Sequence, residues 1–415
     1  MVYDLVGIGF GPANIAIDIF CESLGIEDVI FLDRKSEFSW HPGMLLDTSQ
    51  LQISFLKDLV SIEDPTSKYT FVNYLKLNNR LNEFINLRKF YPDRIEFAQY
   101  YEWVAKQFKN VKYNSNVEKI IYTSILDEEI IEITYKDTNT NQTFTIHTRN
   151  LVIADGGTKN IPINVIESQN VFHTDSALTS LERNFPNYRD DRHIAVIGSG
   201  QSAVDVLTYL FTRYPNLKIS SFIRKFAFKP QDDSHFVNEL FFPENSLLWY
   251  HLDDDLKKEL FELHKDVTHS AADIEMLPPL YNMIYMDKAT NKNRFSLYRF
   301  HELIATKDNE KVDALFYDRF LKTEVWKKFD SIILATGYKH NIPHPLLENI
   351  NNFLLHENKY IFDKDYSLIP NNKIFKPKVY LLGYAEESHG FSETLASLMA
   401  TRAKKITTSI KESLR

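Results

Sequence analysis

The chain has 415 residues, 44% of them hydrophobic and 25% charged, and a formal net charge of −8. That length exceeds one ordinary domain and allows two or three, each with its own core, while the acidic balance offers no basic field to nucleic acid or an anionic membrane surface. A single cysteine, Cys21, excludes an internal disulfide and a CxxC redox pair, so any redox chemistry must be carried by a cofactor.

No basic leader precedes an apolar run at the start, and no stretch of about 18 apolar residues occurs later, so the expectation is a soluble, cytoplasmic protein. The first element is read from "YDLVGIGFGPANIAI", Tyr3 to Ile17, a short apolar run entering glycines. Ile15, Ile19 and Phe20 then recur at helical spacing, and Gly25 is a plausible C-terminal stop. "DVIFLDR" follows as a second buried strand, which completes the opening of a dinucleotide-binding unit. Gly7, Gly9 and Gly11 let a pyrophosphate approach the turn, and Pro12 is compatible with it because the first helical position has no use for its N–H. Asp33 ends the second strand, where a carboxylate suits a ribose diol such as that of FAD.

Between Asp127 and Thr148 the alternation reads as an antiparallel hairpin turning at Asp137 to Gln142. "NLVIADGG" and "FDSIILATGY" are two further strands ending in small residues. From Arg192 to Lys225 the syntax of the first unit returns around "GSGQSA". Its second strand ends in Arg224 and Lys225, which suit a 2′-phosphate, so this site calls for NADPH. Pro230 to Asn293 is helical in tone, polar and aromatic. The expected organisation is therefore α/β, with two Rossmann-like domains for FAD and NADPH and a smaller, mainly helical substrate-binding region. The expected spans are 1–185 for FAD, 186–328 for NADPH with an insertion at about 230–310, and 329–415 returning to the FAD domain and closing the substrate pocket.

The motifs "GIGFGPANIAI", "WHPGMLLDTSQLQISFLKDLVSIEDPTSKYTFVNYL", "FINLRKFYPDRIEFAQYYEW", "GSGQSAVDV", "KPQDDSHFVNELFFP", "LATGY" and "SHGFSETLAS" run nearly end to end. Together they make the chain similar to the class B flavin N-hydroxylating monooxygenases, the microbial ornithine and lysine N-hydroxylases of hydroxamate siderophore biosynthesis. The resemblance implies FAD reduced by NADPH, capture of O2 as a C4a-hydroperoxide, and hydroxylation of a side-chain amine. It places Trp40, His41 and Met44 along the flavin and Gln52 beside its isoalloxazine ring. Lys57 falls on the substrate carboxylate, Asn238 on substrate and nicotinamide, and Ser392 in the pocket closure from Ser388 to Thr394. Arg224 matches the arginine at the adenosine end of NADP. The same resemblance assigns Gly198, Ser199, Gly200, Gln201 and Ser202, with Thr336, Gly337 and Tyr338, to NADPH. It also implies a homo-oligomer, tetramer or dimer.

One departure bears on the substrate. The ornithine enzymes carry Asn-Tyr-Ser where this chain has "THS", Thr268 to Ser270, and a threonine cannot reproduce an amide's paired donor and acceptor. Ornithine is the favoured substrate and lysine the next, with a diamine such as putrescine or cadaverine as the alternative. No acid or base is assigned, and neither His41 nor His389 is given a catalytic role. A disulfide reductase lacks its cysteine pair, and a Baeyer–Villiger enzyme lacks its FxGxxxHxxxW signature here. A non-catalytic flavin-bound redox sensor is the competing class, and no metal motif is present.

Overall fold

In the computed structural model, which describes residues 1–268 and 271–414, two sheets form from the two glycine-loop units, the first mixed and the second parallel throughout. The first sheet centres on Val2–Ile8, which pairs in parallel with Val29–Leu32 on one side and Thr143–Ile153 on the other. Four of its seven residues are fully buried, as an unbroken apolar run between helical layers requires. The helix Pro12–Leu24 starts at Gly11 with proline in its first turn and stops at Gly25, whose φ of 63° lets its N–H reach back to Cys21 and Glu22. Its inner face, including Ile15 and Phe20, packs with Ala403, Ile406 and Ile410 of the C-terminal helix Met399–Ser413 in the largest core.

The hairpin expected after Asp127 forms from Glu128–Asp137 and Thr143–Ile153. A further strand, Ser115–Ile125, lies antiparallel to Glu128–Asp137 and widens this sheet.

The second sheet runs Phe295–Arg299, Lys218–Ile223, His193–Ile197, Ser331–Leu334, Val171–His173, all parallel. This corrects the expected boundaries at 185 and 329, because Val171–His173 and Ser331–Leu334 both pair within the second unit. Short apolar runs buried on both faces carry no mark of which sheet they join. The return to the first sheet is made later, by Lys378–Leu381 beside Thr143–Ile153. Where the chain crosses between units, Thr158–Lys159 and Tyr338–Lys339 pair antiparallel, so the two linkers brace each other.

The helical region holds Pro243–His251, Asp254–His264 and Leu277–Ala289, the second of them capped by the Asp253 carboxylate accepting from Asp255 and Leu256. It is shorter than the expected 230–310. Phe295–Arg299 is the edge strand of the second sheet, and His301–Asp308 opens a three-stranded antiparallel meander. Phe222 stacks on Phe316 at 3.9 Å and on Tyr298 at 4.5 Å, which fastens that meander to the sheet. Trp249 anchors the helical region, packing edge-on against Phe261 and Phe391. Truncating such a buried tryptophan to alanine costs about 3–5 kcal/mol.

Candidate functional site

A cleft of about 2580 Å³ opens at the C-terminal ends of the first sheet, larger than the roughly 300–1,000 Å³ that a drug-sized ligand fills. Gly9, Gly11, Pro12 and Asp33 line one end, and Trp40, His41 and Tyr338 line another part of its wall. The three glycines do different work. A Cβ on Gly7 would stand 2.2 Å from the Phe31 ring, so this glycine serves packing behind the strand, and Gly7 does not line the cleft. Gly9, at φ +80°, turns against the Ala154 carbonyl, whereas a Cβ on Gly11 would meet no atom within 4 Å. The open side of Gly11 and the N-terminus of the helix Pro12–Leu24 together form a cradle for a phosphate.

Asp33 is buried, and its two carboxylate oxygens accept from Phe10 N–H at 2.7 Å and Lys35 N–H at 2.8 Å. The carboxylate thus shapes the glycine turn while its remaining lone pairs face the cleft, so a ribose diol fits there. Met44 departs from its expected place: it is buried with Phe172 and Leu181 in the second core and does not line the cleft. A Cβ on Gly43 would stand 2.2 Å from the Asp175 carbonyl, so this glycine lets the turn carrying Met44 pack directly on that backbone.

The second loop repeats the device. Gly198 packs on the Ala335 carbonyl, and Gly200 is the N-cap of the helix Gln201–Arg213 with Ser199 and Ser202 beside it. Arg224 is exposed at the end of its strand, 3.9 Å from Glu302. Among the described residues the Thr336 hydroxyl is buried without a hydrogen-bond partner, and the Gly337 carbonyl accepts from His173 at 3.1 Å. Tyr338 lies edge-on to His173 at 5.0 Å and lines the large cleft, so it faces both units. An open helix N-terminus, an orphaned hydroxyl and an exposed arginine are groups that a phosphorylated dinucleotide would satisfy.

A third group of residues gathers where the helical region meets the first unit. Lys57 is half-buried with its Nζ 5.9 Å from the Phe241 ring, and burial lowers its pKa. Phe241 shares a core with Trp249, Val267 and Phe391. Thr268 follows Val267, and its hydroxyl is buried with no hydrogen-bond partner among the described residues. Asn238 donates to the Asp233 carbonyl at 2.7 Å, and Ser392 is buried behind Phe391. His269 and Ser270, the rest of the "THS" stretch, lie outside the described residues.

Comparison with known proteins gives the family. A family model described as L-lysine 6-monooxygenase/L-ornithine 5-monooxygenase matches residues 1–340. The chain belongs to that family. It is 35% identical over 402 residues to an L-ornithine N(5)-monooxygenase of Burkholderia cepacia, covering 94% of this chain and 90% of the relative. Among solved structures, the ornithine hydroxylase PvdA of Pseudomonas aeruginosa superposes with a TM-score of 0.92 at 33% identity, both chains covered in full. The Kutzneria sp. 744 ornithine N-hydroxylase KtzI, described with reduced FAD, NADP+ and L-ornithine, gives 0.95 at 28% identity, again over both whole chains. This member of the lysine and ornithine monooxygenase family is accordingly a flavin-dependent N-hydroxylating monooxygenase. No helix among the described residues is long and apolar enough to cross a membrane.

Several residues of the site escaped sequence reasoning. Arg94 Nη2 reaches Asp205 Oδ2 at 3.1 Å, joining a helix of the first unit to one of the second. Arg402 pairs at 2.9 Å with buried Glu393, whose other oxygen accepts from Gly383 N–H at the cleft wall. His340 and His344 flank Tyr384, and Asp155 faces His344 at 3.4 Å. Nothing in local spacing marks these pairs. The one available hint was a charged residue embedded in an apolar helix, as Asp205 is in "SAVDVLTYL".

Proposed function

We propose that the enzyme hydroxylates the side-chain amine of L-ornithine, with L-lysine next, in the biosynthesis of a hydroxamate siderophore or a related product. FAD would lie in the large cleft on the Gly9–Pro12 turn, and NADPH on the Gly198–Ser202 turn with its 2′-phosphate at Arg224. When bound, the reduced flavin supplies activated oxygen, chemistry that no side chain here can perform. The chain's own part is to hold the amine in place and to exclude water.

The observation that carries the substrate is Lys57, a cation stripped of part of its water and given no carboxylate by the protein among the described residues. A substrate α-carboxylate would supply the missing partner. Asn238 and the orphaned Thr268 hydroxyl offer further polar contacts. Phe241, Trp249 and Phe391 form an apolar wall beside them. The reacting amine must be neutral, which at pH 8 costs about 3 kcal/mol for a group with a pKa near 10.4. A cationic Lys57 favours that neutral form slightly and repels the distal ammonium of a diamine.

The test is to supply purified enzyme, FAD and NADPH with ornithine, lysine, putrescine or cadaverine and to quantify hydroxylated amine and peroxide separately. Ornithine is expected to give the highest kcat/KM for hydroxylated product, and a higher value for either diamine overturns the reading. The reading also carries a cytoplasmic homo-oligomer, which sedimentation of the purified enzyme checks in its second part.

A further inference from the structure

The glycine turn of the first unit has a carboxylate on each flank. Leu32 and Ile153 stand level with Ile8 on the two sides of the central strand, so Asp33 and Asp155, just beyond them, reach the end of that strand from opposite directions. Both line the cleft. Asp33 holds the turn through the Phe10 N–H, while the Cα of Asp155 lies so close to Gly9 that a Cβ on that glycine would stand 3.2 Å from it. The turn that forms the phosphate cradle is thus bounded on either side by a group that, ionised, can only accept hydrogen bonds.

Asp155 is held from behind by a buried histidine. His344 Nε2 stands 3.4 Å from each of its oxygens, and no other donor reaches Asp155 among the described residues. His344 takes its own orientation from elsewhere: its Nδ1 accepts from the Leu346 N–H at 3.2 Å, and its ring lies edge-on to Tyr384 at 5.5 Å. A ring nitrogen that accepts has no proton, so the proton sits on Nε2 and points to Asp155. That one forked N–H leaves most of the carboxylate's lone pairs unused, and Asp155 is exposed on the cleft wall. Beside a phosphate cradle such a group repels a second anion and takes a hydroxyl or an N–H.

We propose that Asp155, oriented by His344, binds the hydroxyls of the open-chain sugar alcohol that joins the diphosphate of FAD to its ring system. The proposal rests on the placing of FAD on the Gly9–Pro12 turn. A dinucleotide seated there by its diphosphate sends one sugar to each side of the turn. Asp33 meets the adenosine ribose, which leaves the sugar alcohol to the side of Asp155. A flexible chain of hydroxyls is fixed by a carboxylate whose own direction is already fixed. His344 does not line the cleft, so it acts through Asp155 as a positioning residue.

Titration of the full chain with FAD, followed by flavin fluorescence, tests it, with ADP and an FAD analogue whose linking chain lacks hydroxyls as competing ligands. Asp155 is exposed, so Asp155→Ala should fold. It should weaken FAD by about tenfold to a hundredfold, the loss of charge-assisted hydrogen bonds, and leave the affinities of ADP and the analogue unchanged. His344→Asn keeps an acceptor for the Leu346 N–H but no donor for Asp155, and should weaken FAD about threefold to tenfold. His344→Gln returns an amide N–H to the place of Nε2 and should recover most of that loss. Unchanged FAD binding in Asp155→Ala overturns the proposal, as does a loss shared by ADP or by the analogue, which would mean that the carboxylate only shapes the turn. Equal losses in the two His344 variants, or wild-type binding in His344→Asn, overturn the positioning role. ADP that fails to displace FAD from the wild type overturns instead the placing of FAD on this turn.

Discussion

The ammonium of Lys57 stands 5.9 Å from the centre of the Phe241 ring, with no carboxylate to pair it among the described residues. A half-desolvated cation held against an aromatic face is poised for an anionic ligand. Lys57→Ala should cost about 2–5 kcal/mol in kcat/KM for ornithine, because the substrate carboxylate is then buried unmatched. Flavin reduction by NADPH, followed by the visible absorbance of the flavin, should change little. Burial lowers the lysine's pKa, so the charged form that binds the carboxylate is lost at a lower pH than for a solvated lysine. Ornithine binding to the oxidised enzyme, measured by calorimetry, should weaken as pH rises and show no such loss in Lys57→Ala.

Arg224 governs coenzyme choice in the proposed reading. Its only close carboxylate among the described residues, Glu302 at 3.9 Å, is partly exposed, and such surface pairs are worth about 0–1 kcal/mol. A 2′-phosphate therefore displaces it readily. Arg224→Ala should reduce the NADPH-to-NADH ratio of kcat/KM by roughly tenfold to a hundredfold, the loss of one charge-assisted contact.

Acid stability should depend on Asp365. Burial lifts this carboxyl, but donors from Lys378 at 2.7 Å, Ser367 at 2.6 Å and Ser409 at 2.5 Å outweigh it and hold it at about 2 against the ordinary 3.8. A depressed acid stabilises the fold above its unfolded pKa and loses that contribution as pH falls through the folded one. Asp365→Asn should lower unfolding stability by about 2 kcal/mol at pH 7, a deficit that fades between about pH 4 and 2. Urea unfolding of both proteins across that range measures it.

Asp18 makes the opposite forecast. Burial pushes its carboxyl up to about 7, opposed by Asn110 at 2.8 Å and reinforced by the charge of Glu22, and its Oδ2 has no hydrogen-bond partner among the described residues. A raised acid destabilises the fold once ionised, so the penalty is absent below about 3.8, grows with pH and is complete above 7. Asp18→Asn should raise stability by about 1–3 kcal/mol at pH 8 and by less at pH 5, read from the same unfolding curves.

Local sequence was sufficient for the two glycine turns and the helices they start. A strand, a glycine turn and an amphipathic helix are encoded within about 30 residues, and Gly11, Pro12 and Gly200 stand where that local chemistry requires them. The charges at strand ends, Asp33 and Arg224, were legible for the same reason. The family, and with it the reaction, was legible because its motifs are spread over nearly the whole chain.

Tertiary structure alone decided which sheet Val171–His173, Ser331–Leu334 and Lys378–Leu381 would join, since buried strands of similar composition differ only in their partners. It also turned Met44 into the second core and brought Arg94 to Asp205 across 111 residues. Hydrophobic periodicity reports which face of an element is buried and says nothing of what it is buried against. Pairings between distant charges become visible only when two packed units set their helices side by side, because it is the exclusion of water there, absent from any local segment, that obliges each buried charge to find its partner.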